Sequence, residues 1–268
     1  MEDKKIEGSR IRDEFEALVE TVAKLRAPDG CPWDREQTHV SLKKYAIEET
    51  YEVLEAIDSG DPVQVEDELG DLLLQVLLHA EIARENNQFD IADVCATIRK
   101  KLQRRHPHVF ADVQVNGVDD VLTNWDQIKS TEPGYEDRKS VLDGVPKSLP
   151  ALMRAAKLSK KAARTGFDWP NVASIFDKLR EESDELEQAV ESADKGQIRS
   201  EIGDMLFTIV NIARHEGIDP EEALREMLDR FSFRFGKIEQ HADKSGKNIS
   251  EMTLAEMDEI WEAAKGEQ

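Results

Sequence analysis

The sequence predicts an all-α fold built as two homologous helical bundles in tandem. Three observations carry this. Apolar residues recur at three- and four-residue spacing almost from end to end, with no alternating strand pattern of useful length. Glycine (14) and proline (9) are scarce among 268 residues, while good helix formers are plentiful. The second half repeats the first at an offset near 133, too long a period for a solenoid and right for duplicated domains.

The elements follow in order. Ile11, Phe15, Leu18, Val19, Val22 and Leu25 form one stripe over residues 11–26. Leu42, Tyr45, Ala46, Val53, Ala56 and Ile57 form another over 42–58. Asp61-Pro62 is an N-cap followed by proline at the first helical position, opening a helix that runs to about Asn86. Asp90 caps a helix through Val94, Ile98 and Leu102 that stops near Arg105, because His106 precedes Pro107 and a residue before proline avoids the α region. Residues 130–150 hold three prolines, two glycines and many charges, and so form a linker. Helical signals resume over 152–164, 175–192, 197–216, from Asp219-Pro220 to about His241, and over 254–265. The expected division is a first domain over 1–135, a linker over 136–150 and a second domain over 151–268.

Charge and composition bound the function. Thirty-six Lys and Arg against 57 Asp and Glu give a formal net charge of −21. That balance excludes nucleic acid and anionic membrane surfaces as whole-protein partners, since both require positive potential. Two cysteines, Cys31 and Cys95, cannot build a disulfide framework. The N-terminal MEDKKIEGSR has no apolar signal core, and the longest apolar run, 72–80, is interrupted by Gln75 and His79. A cytoplasmic location is the expectation.

Each half carries E-x-x-E, fifteen residues, then E-x-x-D. These are Glu49, Glu52, Glu68 and Asp71 in the first half, and Glu182, Glu185, Glu201 and Asp204 in the second. Residues three apart share a helix face, so two antiparallel helices can gather four carboxylates. In so acidic a chain a lone acidic pair three apart means nothing. The whole quadruplet recurring at identical spacing, each time with glycine before the final Asp, is not an effect of composition. Glu49 and Glu182 fall inside their apolar stripes, facing inward. Inward carboxylates repel one another and are costly unless a cation compensates. Hard divalent ions such as Mg²⁺ take oxygen ligands and bridge carboxylates to phosphates, so two metal sites are expected. Gly70 and Gly203, costly in mid-helix, predict close backbone packing there.

Basic and aromatic residues repeat as well. Lys101 and Arg105 are one turn apart, as are Arg230 and Arg234. Facing a metal–carboxylate cluster, they would neutralise a polyphosphate. Trp125 and Trp261 recur near the domain ends, where they either stack on a base or pack in the core. His106 and His108 flank a helix-ending turn. Cys31 has no evident base partner and is not read as a nucleophile. No P-loop, nucleophile elbow or zinc-ligand spacing is present.

With these motifs the chain resembles the MazG family of the all-α NTP pyrophosphatase superfamily. The resemblance rests on GCPWD at Gly30–Asp34 with Gln37-Thr38, EETYE at Glu48–Glu52, ELGDLL at Glu68–Leu73 and RRHPHVF at Arg104–Phe110. The acidic set alone would also suit dimeric dUTPases and phosphoribosyl-ATP pyrophosphohydrolases. The resemblance implies two MazG-like bundles, each dimerising, in a homodimer that hydrolyses nucleoside triphosphates at the α-phosphorus to monophosphate and pyrophosphate. It implies broad base and sugar tolerance, a link to clearing non-canonical nucleotides or to stress signalling, and Mg²⁺ as cofactor with Mn²⁺ as a substitute. Carried over, Glu182, Glu185, Glu201 and Asp204 hold the metal, with Glu181 orienting water. Lys178, Arg230 and Arg234 contact phosphate, and Trp261 contacts the nucleotide. The second domain lacks CPWD and has Gly166–Pro170 in its place, and Arg230 stands where the first has Lys101. Both quadruplets are complete. Lys178 and Arg180 precede the second, where the first has Tyr45 and Ile47, which favours the second as the working site. The alternative is a non-catalytic helical protein, a nucleotide or divalent-ion sensor or an interaction scaffold.

Overall fold

The computed structural model describes residues 8–132 and 139–267, the side chains of residues 119, 122, 123, 126 and 130 excepted. Every regular element among them is helical. The chain divides into two units, Met1–Pro133 and Gly134–Gln268. Of the expected linker, residues 136–138 lie outside the described residues, and 139–150 hold turns and bends without helix.

The first unit is centred on a hairpin of α3 (Lys43–Ser59) and α4 (Pro62–Glu85). Gly60, at φ +70°, ends α3 in the left-handed conformation that glycine adopts without strain. Asp61 then caps α4, its carboxylate accepting from the Val63 amide at 2.9 Å, with Pro62 in the first turn. The hairpin is thus closed by three consecutive residues, and its register follows. Against α4 pack α1 (Gly8–Arg26) and α5 (Ile91–Arg105), the latter opened by a capping box of Asp90 and Asp93. Val22, Leu42, Leu77, Leu78 and Ile82 form the core, surrounded by Phe15, Leu18, Tyr45 and Leu73 among others.

Three short helices escape the periodic reading: α2 (Pro32–Glu36), α6 (Pro107–Phe110) and α7 (Val118–Ser130). The first two are about a turn long, below what periodicity resolves. His106 ends α5 and leads into α6, so the turn expected at His106-Pro107 is present. The α2 segment is held by a buried Arg26, which donates two hydrogen bonds to Glu85 (2.9 and 2.8 Å) and two to the carbonyls of Asp34 and Gln37. Next to it His39 and His79 stack, with their Nδ1 atoms 2.7 Å apart.

The second unit repeats the hairpin with α9 (Val172–Glu191) and α10 (Lys195–His215), joined through Asp194, which caps α10. Helix α8 (Ala151–Ala163) lies on α10, and α11 (Pro220–Ser245) packs on α8 and α12 (Leu254–Ala264). Ile175, Ala189, Val210, Ile238 and Ala242 are buried. Asn211 is buried too, accepting from Ser159 of α8 and donating to the Phe207 carbonyl. Asp168 is clasped by Arg214 and His215, and the Arg214 hydrogen bond holds its carboxyl down at about 2. Its stabilising contribution is therefore present above the ordinary carboxylate range and lost as the pH falls toward 2.

One expectation fails. A Cβ at Gly70 or Gly203 would meet no atom within 4 Å, so neither glycine marks a close approach of backbones within its unit. Both lie on exposed faces of their helices. Val76, inside the apolar run of α4, is likewise 41% exposed.

Leu78 is 1% exposed at the centre of the first core. Leu78→Ala is expected to lower stability by about 2–5 kcal/mol through lost burial and the cavity left behind. Urea unfolding followed by far-UV circular dichroism measures this.

Candidate metal centres

The hairpins bring carboxylates of adjacent helices together. Glu49 of α3 meets Glu68 and Asp71 of α4, with one oxygen from each inside a mutual 4.8 Å. Glu182 of α9 meets Glu201 and Asp204 of α10 in the same way. The cause is local. Glutamate and aspartate three apart on α4 or α10 project side by side, and the short turn sets that pair opposite one glutamate of the preceding helix. Such a set is hard, anionic and oxygen-only, which fits a divalent cation and suits no soft metal.

The electrostatics agree. Glu49, Glu68 and Glu201 are all raised above the usual carboxylate range, first by desolvation and then by their neighbours' charges. Glu182 is 5% exposed. Carboxylates gathered this closely disfavour each other's ionisation, and a bound cation reverses that. Glu52 and Glu185, the fourth members of the expected sets, are exposed and stand outside the two trios. They remain within electrostatic reach: Glu52 helps raise Glu49 and Glu68, and Glu185 helps raise Glu201.

The two centres differ in what stands beside them. In the second, Lys178 bridges Glu181 and Glu182, its Nζ 2.8 Å from an oxygen of each, and these bonds raise its pKa. The ammonium compensates the buried Glu182 directly. In the first, Tyr45 takes the matching position and packs edge-on against Trp33, with Lys44 over its ring. There Gln75, buried on α4, points its amide at Glu49, 3.4 Å from Oε1. The counterpart of Gln75 is the buried Thr208. Nothing in the spacing singled out Gln75; its polarity within an otherwise apolar run is the signal that would have found it.

The basic and aromatic candidates form their own repeated pair. Arg105 lies over Trp125 at 5.0 Å, and Arg234 over Trp261 at 5.5 Å. His106 contacts Trp125 edge-on, and Phe231 contacts Trp261. Arg105 is also tied to Glu132, which it holds down at about 2, while Arg230 makes a 3.6 Å pair with Glu226. Lys101 is exposed on α5 beside Ile98 and Phe89. Each Arg–Trp pair thus forms a platform, and Lys178 pairs with Glu182 of the second trio.

The model of the MazG nucleotide pyrophosphohydrolase domain matches the chain twice, over residues 37–110 and 171–238, together more than half of its length. The chain belongs to the MazG family. Both matches span a complete carboxylate hairpin. The nucleoside triphosphate pyrophosphohydrolase of Escherichia coli (strain K12) is 42% identical over 259 residues, covering 96% of this chain and 98% of that one. The nucleoside triphosphate pyrophosphohydrolase/pyrophosphatase MazG of Thermotoga maritima is 44% identical over 252 residues, covering 94% and 96%. The uncharacterised protein YabN of Bacillus subtilis is 49% identical over 253 residues, which are 94% of this chain and 52% of that protein. No described helix is long and apolar enough to cross a membrane.

Raised carboxylates make the metal-free fold less stable as the pH climbs through and above their titration, because the folded state then gives up protons it holds more tightly than the unfolded chain. A divalent cation offsets this at neutral pH and competes with protons in acid. MgCl₂ at 100 times its Kd should raise the melting temperature at pH 7.5 by roughly 5–10 °C, and by much less at pH 5. Scanning fluorimetry reads this, and the increment should vanish in Glu68→Gln/Glu201→Gln.

Proposed function

We propose that the chain is a Mg²⁺-dependent nucleoside triphosphate pyrophosphohydrolase, with Mn²⁺ as a substitute ion, that works chiefly at its second centre. The observation that carries this reading is the Glu182–Glu201–Asp204 trio with Lys178 at its rim, in a chain similar over nearly its full length to proteins of that name. The bound ion would draw charge from the phosphate oxygens and organise the triphosphate against the trio and Glu185.

The protein's own groups do the rest. Lys178 already compensates Glu182; with cation and substrate present, its ammonium turns from the carboxylate to a phosphate oxygen. Arg230 and Arg234 add charge to the phosphate chain, and Trp261, under Arg234, offers its indole face to the base. Glu181, exposed beside Lys178, orients the water and takes its proton. The water oxygen bonds to the α-phosphorus as the bond to the bridging oxygen breaks, releasing pyrophosphate and leaving the monophosphate. Broad base and sugar tolerance and a role in clearing non-canonical nucleotides belong to this reading.

The first centre is built alike from Glu49, Glu52, Glu68 and Asp71, with Lys101, Arg105 and Trp125 as its counterparts for phosphate and nucleotide. It lacks a lysine at Tyr45, and Gln75 competes for Glu49. We assign it a weaker or regulatory role. The domains span 1–135 and 151–268 with the linker between, in a cytoplasmic protein whose substrates are nucleoside triphosphates.

The chain is read as a homodimer. On α10, Ile202, Leu206 and Phe207 are each 44–47% exposed, and on α11 Leu228 and Phe231 are 46–52% exposed. Apolar surface on this scale marks an interface, and a second copy is the commonest partner.

Glu201→Gln should lower pyrophosphate release from NTPs by at least about 100-fold, the loss expected when a group acting in the transition state is removed, whereas Glu68→Gln should retain most activity. Pyrophosphate and orthophosphate are assayed side by side with several NTPs and dNTPs. Full activity in the double variant would sink the assignment, and nucleotide binding without turnover in the wild type would favour the sensor reading. Sedimentation should give twice the mass of one chain, and Leu206→Glu/Phe231→Glu should shift it toward the monomer.

A further inference from the structure

A basic stretch of this acidic chain lies outside the metal centres. Residues 147–164 hold six Lys and Arg and no Asp or Glu. They build α8, which lies on α10 and α11. Lys157 and Lys160 share one face of α8 and line a cleft of about 350 Å³ with Arg214 of α10. Met153, Ile218 and Pro220 supply apolar walls.

The charges in this cleft are unbalanced. Among the described residues neither Lys157 nor Lys160 has a hydrogen bond or an ion pair. Two ammonium groups three apart on one helix repel, a cost that an anion between them would remove. Arg214 points two of its nitrogens at Asp168, while its Nε is buried without a hydrogen-bond partner. The carboxylates nearby are already engaged. Asp219 caps α11 by accepting from the Glu221 and Glu222 amides, Glu221 accepts from the Met153 amide, and Asp168 serves Arg214 and His215. The loop amides are used as well, Gly217 donating to the Arg214 carbonyl and Ile218 to that of Ala213. The donors left are cationic side chains, and they converge on one space.

We propose that this cleft binds a diphosphate group, either free pyrophosphate or the phosphate chain of a nucleotide, at a site separate from the metal centre. Two lysines without ion-pair partners among the described residues, with the Arg214 guanidinium shared with Asp168 beside them, suit the charge of two linked phosphoryl groups better than that of a single carboxylate. The apolar walls can cover a ribose or a base, and the volume lies in the range of small-ligand sites. The cleft stands at the far end of α10 from the trio: ten residues separate Asp204 from Arg214, about 15 Å along the helix. Arg214 also clasps Asp168 of the loop leading into α9, the helix that carries Lys178 and Glu182. A ligand here is therefore placed to act on the mounting of the second centre without touching it.

The test uses the full-length chain in EDTA, where the acidic trios repel phosphates, with pyrophosphate and ADP as probes in 0.15 M NaCl. Calorimetry is expected to show saturable binding of pyrophosphate that Lys157→Gln/Lys160→Gln weakens at least about tenfold, as the loss of charge-assisted contacts implies. The same variant should keep the wild-type melting temperature and, with Mg²⁺ and saturating NTP, a turnover within about twofold. Arg234→Ala should leave metal-free binding intact. ADP binding tighter than pyrophosphate assigns the cleft to nucleotides; equal or weaker binding assigns it to free pyrophosphate. No saturable binding, binding that survives in the double lysine variant or is lost in Arg234→Ala, or equal competition by sulfate would overturn the site. The readout is binding by the metal-free chain, so it stands or falls apart from the hydrolysis assay.

Discussion

The repulsion among carboxylates forced together by a helix hairpin is the constraint on which the rest of this structure depends. Burial in a helical fold ordinarily selects against glutamate, yet Glu182 is 5% exposed and Glu49 is partly buried. Glu49, Glu68 and Glu201 are raised above the usual carboxylate range by desolvation and by the neighbouring carboxylates, so charge is gathered at a cost in both hairpins. The hairpins withstand it because their closure is local and strong. Gly60 and Asp61 join α3 to α4 with a left-handed glycine and a side-chain cap, and Asp194 caps α10 in the second unit. The apolar stripes on either side of the acidic residues then lock the register, so the carboxylates cannot separate without exposing the core.

Duplication gave the two hairpins the same constraint, and they relieve it differently. The second places an ammonium on the buried glutamate through Lys178, while the first offers only the neutral amide of Gln75. A charged partner lowers the cost of keeping Glu182 ionised, and an ionised oxygen is what a hard cation binds. An amide donor does far less at 3.4 Å. The aligned Tyr45 meanwhile turns to the Trp33 side, where Arg26 and Glu85 fasten the α2 segment. The first unit has thus spent on packing a position that the second uses for charge.

How much of this is visible in a sequence depends on how local the interaction is. Three members of each expected acidic set come together because helix geometry ties residues three apart to one face and the repeat supplied the pairing of helices, while Glu52 and Glu185 stand outside the trios. The caps at Asp61, Asp90 and Asp219 were legible for the same reason. The partners of Arg105 and Arg234 were not, since Glu132, Trp125 and Trp261 lie 20 or more residues away and no period announces them. Helix α7 adjoins the expected linker and was missed although Val118, Val121, Leu122, Trp125 and Ile128 keep helical spacing. Gly70 and Gly203 misled because mid-helix glycine has more than one cause: the expected contact is absent inside each unit, and the glycines instead leave the helix flank bare beside the carboxylate they precede.

The net charge of −21 takes a different meaning once it is resolved by place. The acidic residues of the trios are gathered where they could hold cations, whereas basic residues of 147–164 stand on the helix packed against the other end of α10. Helix α10 carries Glu201 and Asp204 in its first half and Arg214 at its end. The arginine lies where the carbonyl end of the helix favours a cation, which is electrostatically sound. A single helix thus carries carboxylates that could hold a metal in its first half and lines a basic cleft at its end. Phosphate chemistry suits both, directly at the basic end and through a divalent cation at the acidic one.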